Sequence, residues 1–159
     1  MADVNARCAQ EILEGYGIAC DELESLTEEH DRIISALYSI TSDPSASGGG
    51  SSADKLGGGV AKLVDLCNRI DDEIKRYISA RDEARSLVRA VMHENIVFGQ
   101  CLHYRYIDRD RPSVVAYRMG YCDRQERSVR KSAIEMADKI LQNSQHLEGG
   151  SENTSANLR

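Results

Sequence analysis

Apolar side chains recur along the middle of the chain at intervals of seven residues. One series is Leu63, Ile70, Tyr77, Ala84 and Val91, and the other is Cys67, Ile74, Arg81 and Val88. Two such series, sustained over about four repeats, are typical of the a and d positions of a coiled-coil helix. The pattern predicts one long helix over residues 60–92, with Arg81 as the polar exception in its seam.

A second stretch with related spacing lies upstream. Its apolar positions are Leu23, Leu26, Ile33, Leu37 and Ile40, with His30 in the intervening slot. Because a narrow apolar stripe needs a partner helix to cover it, we expect residues 20–40 to pack antiparallel against residues 60–92. The spacing leaves open whether the two helices pair within one chain or between the copies of a homodimer. Gly15 and Gly17 are expected to separate a short first helix from this one.

Two segments lack any apolar period. Residues 41–59 are dominated by Gly and Ser, and they predict a flexible loop that closes the hairpin. They lack the GxxxxGK[ST] arrangement of a phosphate-binding loop. Residues 143–159 are polar, with two glycines starting at Gly149, and they predict a disordered tail. The expected organisation is a helical hairpin or coiled coil over residues 1–92, a small domain over residues 93–142, and the tail.

Between residues 94 and 141 the pattern changes to three shorter helices. The first covers residues 94–107. Pro112 suits the first position of the second helix, because a proline has no N–H to leave unpaired there, and Gly120 ends that helix. The third begins at Cys122 or Asp123, and the Asp123 side chain can cap it.

The junction between the second and third helices has the composition of a helix-turn-helix. Two helices that cross steeply over a short turn need a small residue at their contact, a glycine in the turn and apolar side chains that hold the pair together. Residues of these kinds are Val115, Ala116, Met119, Gly120, Tyr121 and Val129. Glu126 is the exception, since an apolar residue usually faces the core there. Either the third helix is rotated slightly, or Arg130, one turn on, pairs with this carboxylate.

The distribution of charge distinguishes the same segment. The whole chain has a net charge of −6, whereas residues 99–141 carry nine basic and six acidic residues, a net charge of +3. The face of the third helix opposite its apolar side presents Arg124, Gln125, Arg127, Ser128 and Lys131. Arg suits guanine, Gln suits adenine, and Lys and Ser suit phosphate. This helix is therefore predicted to read double-stranded DNA.

Four short strings occur in order within this segment: RYID, MGY, DRQ and AIEM. On these strings the chain resembles a prophage-encoded family of unknown function allied to the ArpU-type late transcription regulators, whose helix-turn-helix is similar to region four of bacterial sigma factors. The residues that match the family pattern are Arg105, Tyr106, Ile107, Asp108, Ala116, Met119, Gly120, Tyr121, Arg124 and Gln125. The departures are Arg109 for Gly, Pro112 for Trp, Cys122 for Ser and Glu126 for Val. The resemblance is close here and looser over residues 20–92.

The resemblance implies a phage or prophage regulator that assists RNA polymerase at a promoter. Two other functions stay open. One is an RNA polymerase-interacting helical protein with weak DNA binding. The other is a small terminase-like DNA-packaging subunit, which would form a large ring where a regulator would be a monomer or dimer.

The sequence predicts neither catalysis nor a bound cofactor. No motif supplies a nucleophile, a base and an orienting group together. The five cysteines include no CxxC pair, and the spacing of Cys101 and His103 from other Cys and His residues matches no structural zinc pattern, so no metal is expected. No apolar run suits a signal peptide or a membrane span, and a bacterial cytoplasm is the expected location.

Overall fold

The computed structural model describes residues 7–42 and 52–148, which contain helices and connecting turns and no β-strand. The helices are α1 (Ala9–Ser42), α2 (Ser52–Glu94), α3 (Ile96–Leu102), α4 (Pro112–Met119) and α5 (Asp123–Glu148), and a π-helical turn (His103–Ile107) follows α3. The predicted all-α fold class is confirmed.

The described residues divide into two compact units. The hairpin unit comprises residues 18–42 and 52–79, and the terminal unit comprises residues 7–17 and 80–148. The division differs from the expected boundary after residue 92, because the start of α1 and the end of α2 belong to the same unit as the C-terminal helices.

In the hairpin unit α1 and α2 pack against each other within one chain. Leu37 of α1 lies against Gly59 of α2, and Glu29 pairs with Arg69 at 4.0 Å. These contacts run in opposite directions along the two helices, which are therefore antiparallel, as the spacing predicts. The α1 seam positions are half-buried, namely Leu23, Leu26, His30, Ile33 and Leu37. Ile40 lies outside the described side chains.

The buried face of α2 in this unit agrees with only one of the two predicted series. The half-buried members of the first series are Leu63, Ile70 and Tyr77. The second series is wrong here, because Cys67 and Ile74 are exposed and Leu66 is buried instead.

Glu73 explains the shift by one residue. It is the next seam position after Leu66, and it is only 6% exposed. Its carboxylate lies 3.4 Å from the guanidinium of Arg76, whose side chain reaches solvent. Because a basic neighbour compensates the charge, a carboxylate can lie at this position. A pattern that counts apolar residues passes over Glu73 and takes Ile74 in its place.

Both long helices extend into the segment predicted as a loop over residues 41–59. Residues 41–42 end α1 and residues 52–59 begin α2, while residues 43–51 lie outside the described residues. Gly59 is helical, and a Cβ atom there would lie 2.6 Å from the Cδ2 atom of Leu37. Gly57 and Gly58 are helical as well, so the weak helix propensity of glycine does not interrupt α2 here.

Two other helix ends differ from expectation. α1 continues through Gly15 and Gly17, where the sequence predicted a break, so glycine alone is too weak a signal to end a helix. α5 continues over residues 143–148 of the predicted tail, because no proline or glycine interrupts it before Gly149. Residues 149–159 lie outside the described part of the chain.

The terminal unit has its core where α3 and α4 pack against α5. Its buried side chains come from all five helices and include Leu13, Leu87, Val88, Val91, Leu102, Val115, Ala133 and Ala137. The N–H of Ala9, at the start of α1, donates a 2.7 Å hydrogen bond to the Asp138 carboxylate of α5. This bond satisfies one of the N–H groups that a helix start leaves without a partner.

α3 approaches the end of α2 through a glycine. A Cβ atom at Gly99 would lie 2.5 Å from the Cα atom and 2.8 Å from the backbone nitrogen of Met92, so only glycine fits there. Asn95 separates the two helices, and its side-chain oxygen accepts hydrogen bonds from the N–H groups of Val97 and Phe98 at 3.0 and 3.1 Å. This is an N-cap, and it fixes where α3 begins.

Candidate nucleic-acid interface

The turn between α4 and α5 is built around Gly120. α4 begins with Pro112 at its first position and ends before Gly120, whose φ of 69° lies in the left-handed region that favours glycine. The Gly120 N–H donates to the Tyr117 carbonyl at 3.1 Å, and the Tyr121 N–H donates to the Ala116 carbonyl at 2.8 Å. These two bonds define a Schellman motif, which ends α4 where the sequence predicted.

The residues predicted to hold the two helices together occupy both sides of this turn. Val115 and Ala116 are buried, Met119, Tyr121 and Val129 are half-buried, and Gly120 is exposed. α4 contacts α5, and the small side chains of Ala116 and Ala133 are buried within this unit. The turn and its apolar residues therefore fix how α5 leaves α4.

The start of α5 departs from the sequence expectation in one respect. Asp123 is the first helical residue and not the cap. Gln125 supplies the capping contact instead, because its side-chain oxygen accepts a 3.1 Å hydrogen bond from the Cys122 N–H. Asp123 still suits the first turn, where a negative charge complements the helix dipole.

Glu126 faces the core and is 1% exposed. Its Oε1 atom lies 3.3 Å from the Nε atom of Arg130, one turn further along α5. Of the two alternatives that the sequence left open, pairing with Arg130 is the one observed. Burial, with a smaller contribution from the Glu126 charge, raises the pKa of the Cys101 thiol from its ordinary value of 9.0 to about 11.

The opposite face of α5 is open to solvent. All five residues predicted to contact DNA are exposed, namely Arg124, Gln125, Arg127, Ser128 and Lys131. Within residues 7–42 and 52–148, no carboxylate forms an ion pair with Arg124, Arg127 or Lys131. Three positive charges therefore lie on successive turns of one helix face, with solvent as their surroundings.

Two arginines outside this face, Arg105 and Arg118, are engaged within the protein. Arg105 donates a 3.1 Å hydrogen bond to the Asp110 carbonyl. Arg118 pairs with Asp108 and Asp110 at 2.9 and 2.5 Å. Carboxylates thus neutralise Arg118 on α4, whereas Arg124 and Arg127 on the exposed face of α5 have no carboxylate partner among the described residues.

Sequence reasoning did not find the cluster around Arg118. The Arg118 guanidinium lies 3.8 Å from the centre of the Tyr104 ring, and the Asp108 carboxylate also approaches His103 at 3.4 Å. The cluster connects the π-helical turn to α4. The string of alternating acidic and basic residues at positions 108–111 was its only signal in the sequence.

The remaining features offer less for a function. A groove of about 470 Å³ in the hairpin unit is lined by Leu26 and by polar and charged side chains. The described residues contain no group of three His, Cys, Asp or Glu side chains arranged to hold a metal ion. None of the helices in residues 7–42 and 52–148 combines the length and apolar character that crossing a bilayer requires.

Comparisons of the chain with protein-family models, with curated proteins and with solved structures give no match. The function is therefore inferred from the residues themselves.

Proposed function

We propose that the protein binds double-stranded DNA through the exposed face of α5 and acts as a transcription regulator of the phage or prophage type. The observation that carries this proposal is that Arg124, Arg127 and Lys131 have no carboxylate partner among the described residues, whereas Arg118 and Arg130 are both paired with carboxylates. Paired surface arginines are common and carry little information. An acidic chain that leaves three positive charges unpaired on one helix face, next to a fixed turn, has a surface suited to a polyanion.

The spacing of these residues fits one helix entering a groove. Arg124, Arg127 and Lys131 lie three and four positions apart, so they project from the same face. The DNA major groove, about 12 Å wide, admits one α-helix. The first turn of a reading helix commonly contacts base edges while neighbouring side chains contact phosphates.

We assign base reading to Arg124 and Arg127, because a guanidinium can donate two hydrogen bonds to guanine. Ser128 and Lys131 are assigned to phosphates. Gln125 would need both its oxygen and its nitrogen to recognise adenine, and its oxygen already accepts a hydrogen bond from the Cys122 N–H. Its role in this proposal is to fix the start of α5.

A backbone feature adds support to the resemblance behind this proposal. Arg109 has a φ of 60°, the left-handed conformation in which glycine is the favoured residue. The regulator family that the chain resembles carries glycine at this position. The backbone of this chain thus has the conformation that suits the family's glycine, although the residue here is arginine.

A second candidate, binding to RNA polymerase with weak DNA affinity, rests on a different surface. On α4, Tyr117 is 86% exposed and Val114 is 41% exposed. Exposed aromatic residues are enriched in protein interfaces. A regulator could use both surfaces, α5 for DNA and α4 for the enzyme.

Selection from a library of random duplexes tests the main proposal. The full chain should enrich one sequence motif, and Arg124→Ala or Arg127→Ala should weaken binding to that motif by about 5–150-fold. Arg32→Ala is the matched control, because it makes the same change in net charge at an exposed site in the hairpin unit. Failure to enrich any motif, with tight capture of purified bacterial RNA polymerase that Tyr117→Ala abolishes, would instead favour the second candidate.

A further inference from the structure

α2 carries an exposed apolar stripe in the hairpin unit. Its apolar members, with their exposed fractions, are Val60 (48%), Val64 (55%), Ile74 (38%) and Ile78 (43%), and Cys67 lies exposed between them. Asp71 fills the one remaining position of the same spacing. The stripe runs for about 27 Å along the helix. It borders the half-buried series that begins at Leu63, so α2 is apolar over a wider arc than one partner helix covers.

Residues 1–6, 43–51 and 149–159 offer few apolar side chains that could cover this stripe. Residues 43–51 contain no large apolar side chain, and residues 149–159 contain one, Leu158. Residues 1–6 add Met1 and Val4. A row of aliphatic side chains at helical spacing is covered best by another row of the same kind, and a second copy of α2 supplies one.

We propose that the stripe binds the same stripe of a second copy of this chain, with the two α2 helices antiparallel. The six positions of the stripe are placed symmetrically about residue 69 along the helix. A two-fold axis there sets Val60 against the partner's Ile78 and Val64 against the partner's Ile74. Asp71 then faces the partner's Cys67. This is the self-complementary contact of a symmetric dimer.

The charge at Asp71 decides the orientation. In a parallel pair each position faces its own copy, so Asp71 would meet the partner's Asp71 and two carboxylates would repel across an otherwise apolar seam. The antiparallel pair separates them and places each beside a thiol. Ile70 and Leu63, which border the stripe, would then face the partner's Ile70 and the partner's Tyr77. The inference goes beyond DNA binding and does not depend on it.

Sedimentation of the full chain at micromolar concentration tests this inference. The wild type should be a dimer, and Ile74→Asp or Val64→Lys alone should raise the dissociation constant about a hundredfold or more, with unchanged helical circular dichroism. Ile96→Asp is the control, since Ile96 is a 62% exposed isoleucine outside the stripe. It should leave the dimer intact. A monomeric wild type, or a dimer that both stripe variants leave intact, overturns the proposal.

Mixing two variants tests the orientation. In the antiparallel pair, the lysine of a Val64→Lys chain faces the aspartate of an Ile74→Asp chain, and the second contact of the same pair stays apolar. An equimolar mixture should therefore form heterodimers while each variant alone stays monomeric. In a parallel pair the two substituted positions do not meet, so a mixture that remains monomeric overturns the antiparallel arrangement.

Discussion

Arg118 and Tyr104 form a stacked pair in which the guanidinium lies 3.8 Å from the centre of the ring. The same guanidinium binds the carboxylates of Asp108 and Asp110. The hydrogen bond to Asp110 raises the pKa of Arg118 above its ordinary value. A planar cation held by a ring and two carboxylates joins the π-helical turn to α4, the helix that leads into the turn before α5.

Replacing Arg118 should therefore affect folding more than DNA binding. Arg118→Ala leaves two carboxylates facing each other, so the midpoint of thermal unfolding should fall. Arg118→Lys keeps the charge but loses the planar stacking. Its unfolding midpoint should therefore lie between those of Arg118→Ala and the wild type. Circular dichroism at increasing temperature measures the effect. Arg127→Ala provides the contrast, since it should leave the midpoint unchanged; a larger loss of stability there than at Arg118 would contradict the assignment of roles.

Because Glu126 pairs with Arg130, substitutions of these two residues should have non-additive effects on the free energy of unfolding. Arg130→Ala leaves the buried Glu126 carboxylate uncompensated, and the free energy of unfolding should fall by about 3 kcal/mol. Glu126→Val restores an apolar residue at a core position. In the Arg130→Ala background it should recover most of the loss, because no buried charge remains. Urea unfolding of the two single variants and the double variant gives the comparison, and simple additivity would show that the two side chains are not coupled.

The Cys101 thiol predicts a loss of stability in alkali. Its pKa is about 11 in the folded chain, above the ordinary value of 9.0. The stabilising contribution is therefore complete below pH 9, and it declines as the pH rises to about 11, because the unfolded chain releases the proton first. The full decline amounts to about 2–3 kcal/mol. Urea unfolding between pH 8 and pH 11 should show a steeper decline for the wild type than for Cys101→Ala, and parallel curves would be the contrary result.

The left-handed backbone at Arg109 predicts that glycine is better than alanine there. Arg109→Gly and Arg109→Ala remove the same side-chain contacts, so their difference isolates the backbone. Glycine should be more stable by about 1 kcal/mol, whereas at an ordinary helical position alanine is favoured by a similar amount. Thermal and urea unfolding of the two variants measure the difference. Greater stability of the alanine variant would mean that Arg109 does not adopt this conformation in solution.

The sequence predicted the structure best at residues whose backbone conformation is restricted. Pro112 and Gly120 marked the ends of α4, because few backbone conformations suit each of them. The first heptad series marked a face that is at least partly buried. Burial of Glu73 was not predictable from the pattern, since it depends on the neighbouring Arg76.

Long-range packing accounts for the rest. Gly59 lies close to Leu37, and Gly99 lies close to Met92. The sequence pattern does not show either contact, because each forms only when two helices pack together. For the candidate interface, sequence alone nominated five residues of α5, and all five are exposed. It had no means to separate the unpaired arginines from Arg118, whose partners become neighbours only after folding.

The measurement that tests the central claim most directly is a titration of the selected duplex and a scrambled duplex at several salt concentrations. The wild type should prefer the selected duplex. Arg124→Ala and Arg127→Ala should each lose about 1–3 kcal/mol on it and narrow the preference, whereas Lys131→Ala should weaken both duplexes alike and reduce the slope of log K against log salt by about one. Equal, weak and sequence-blind binding by all four proteins would contradict base reading by α5.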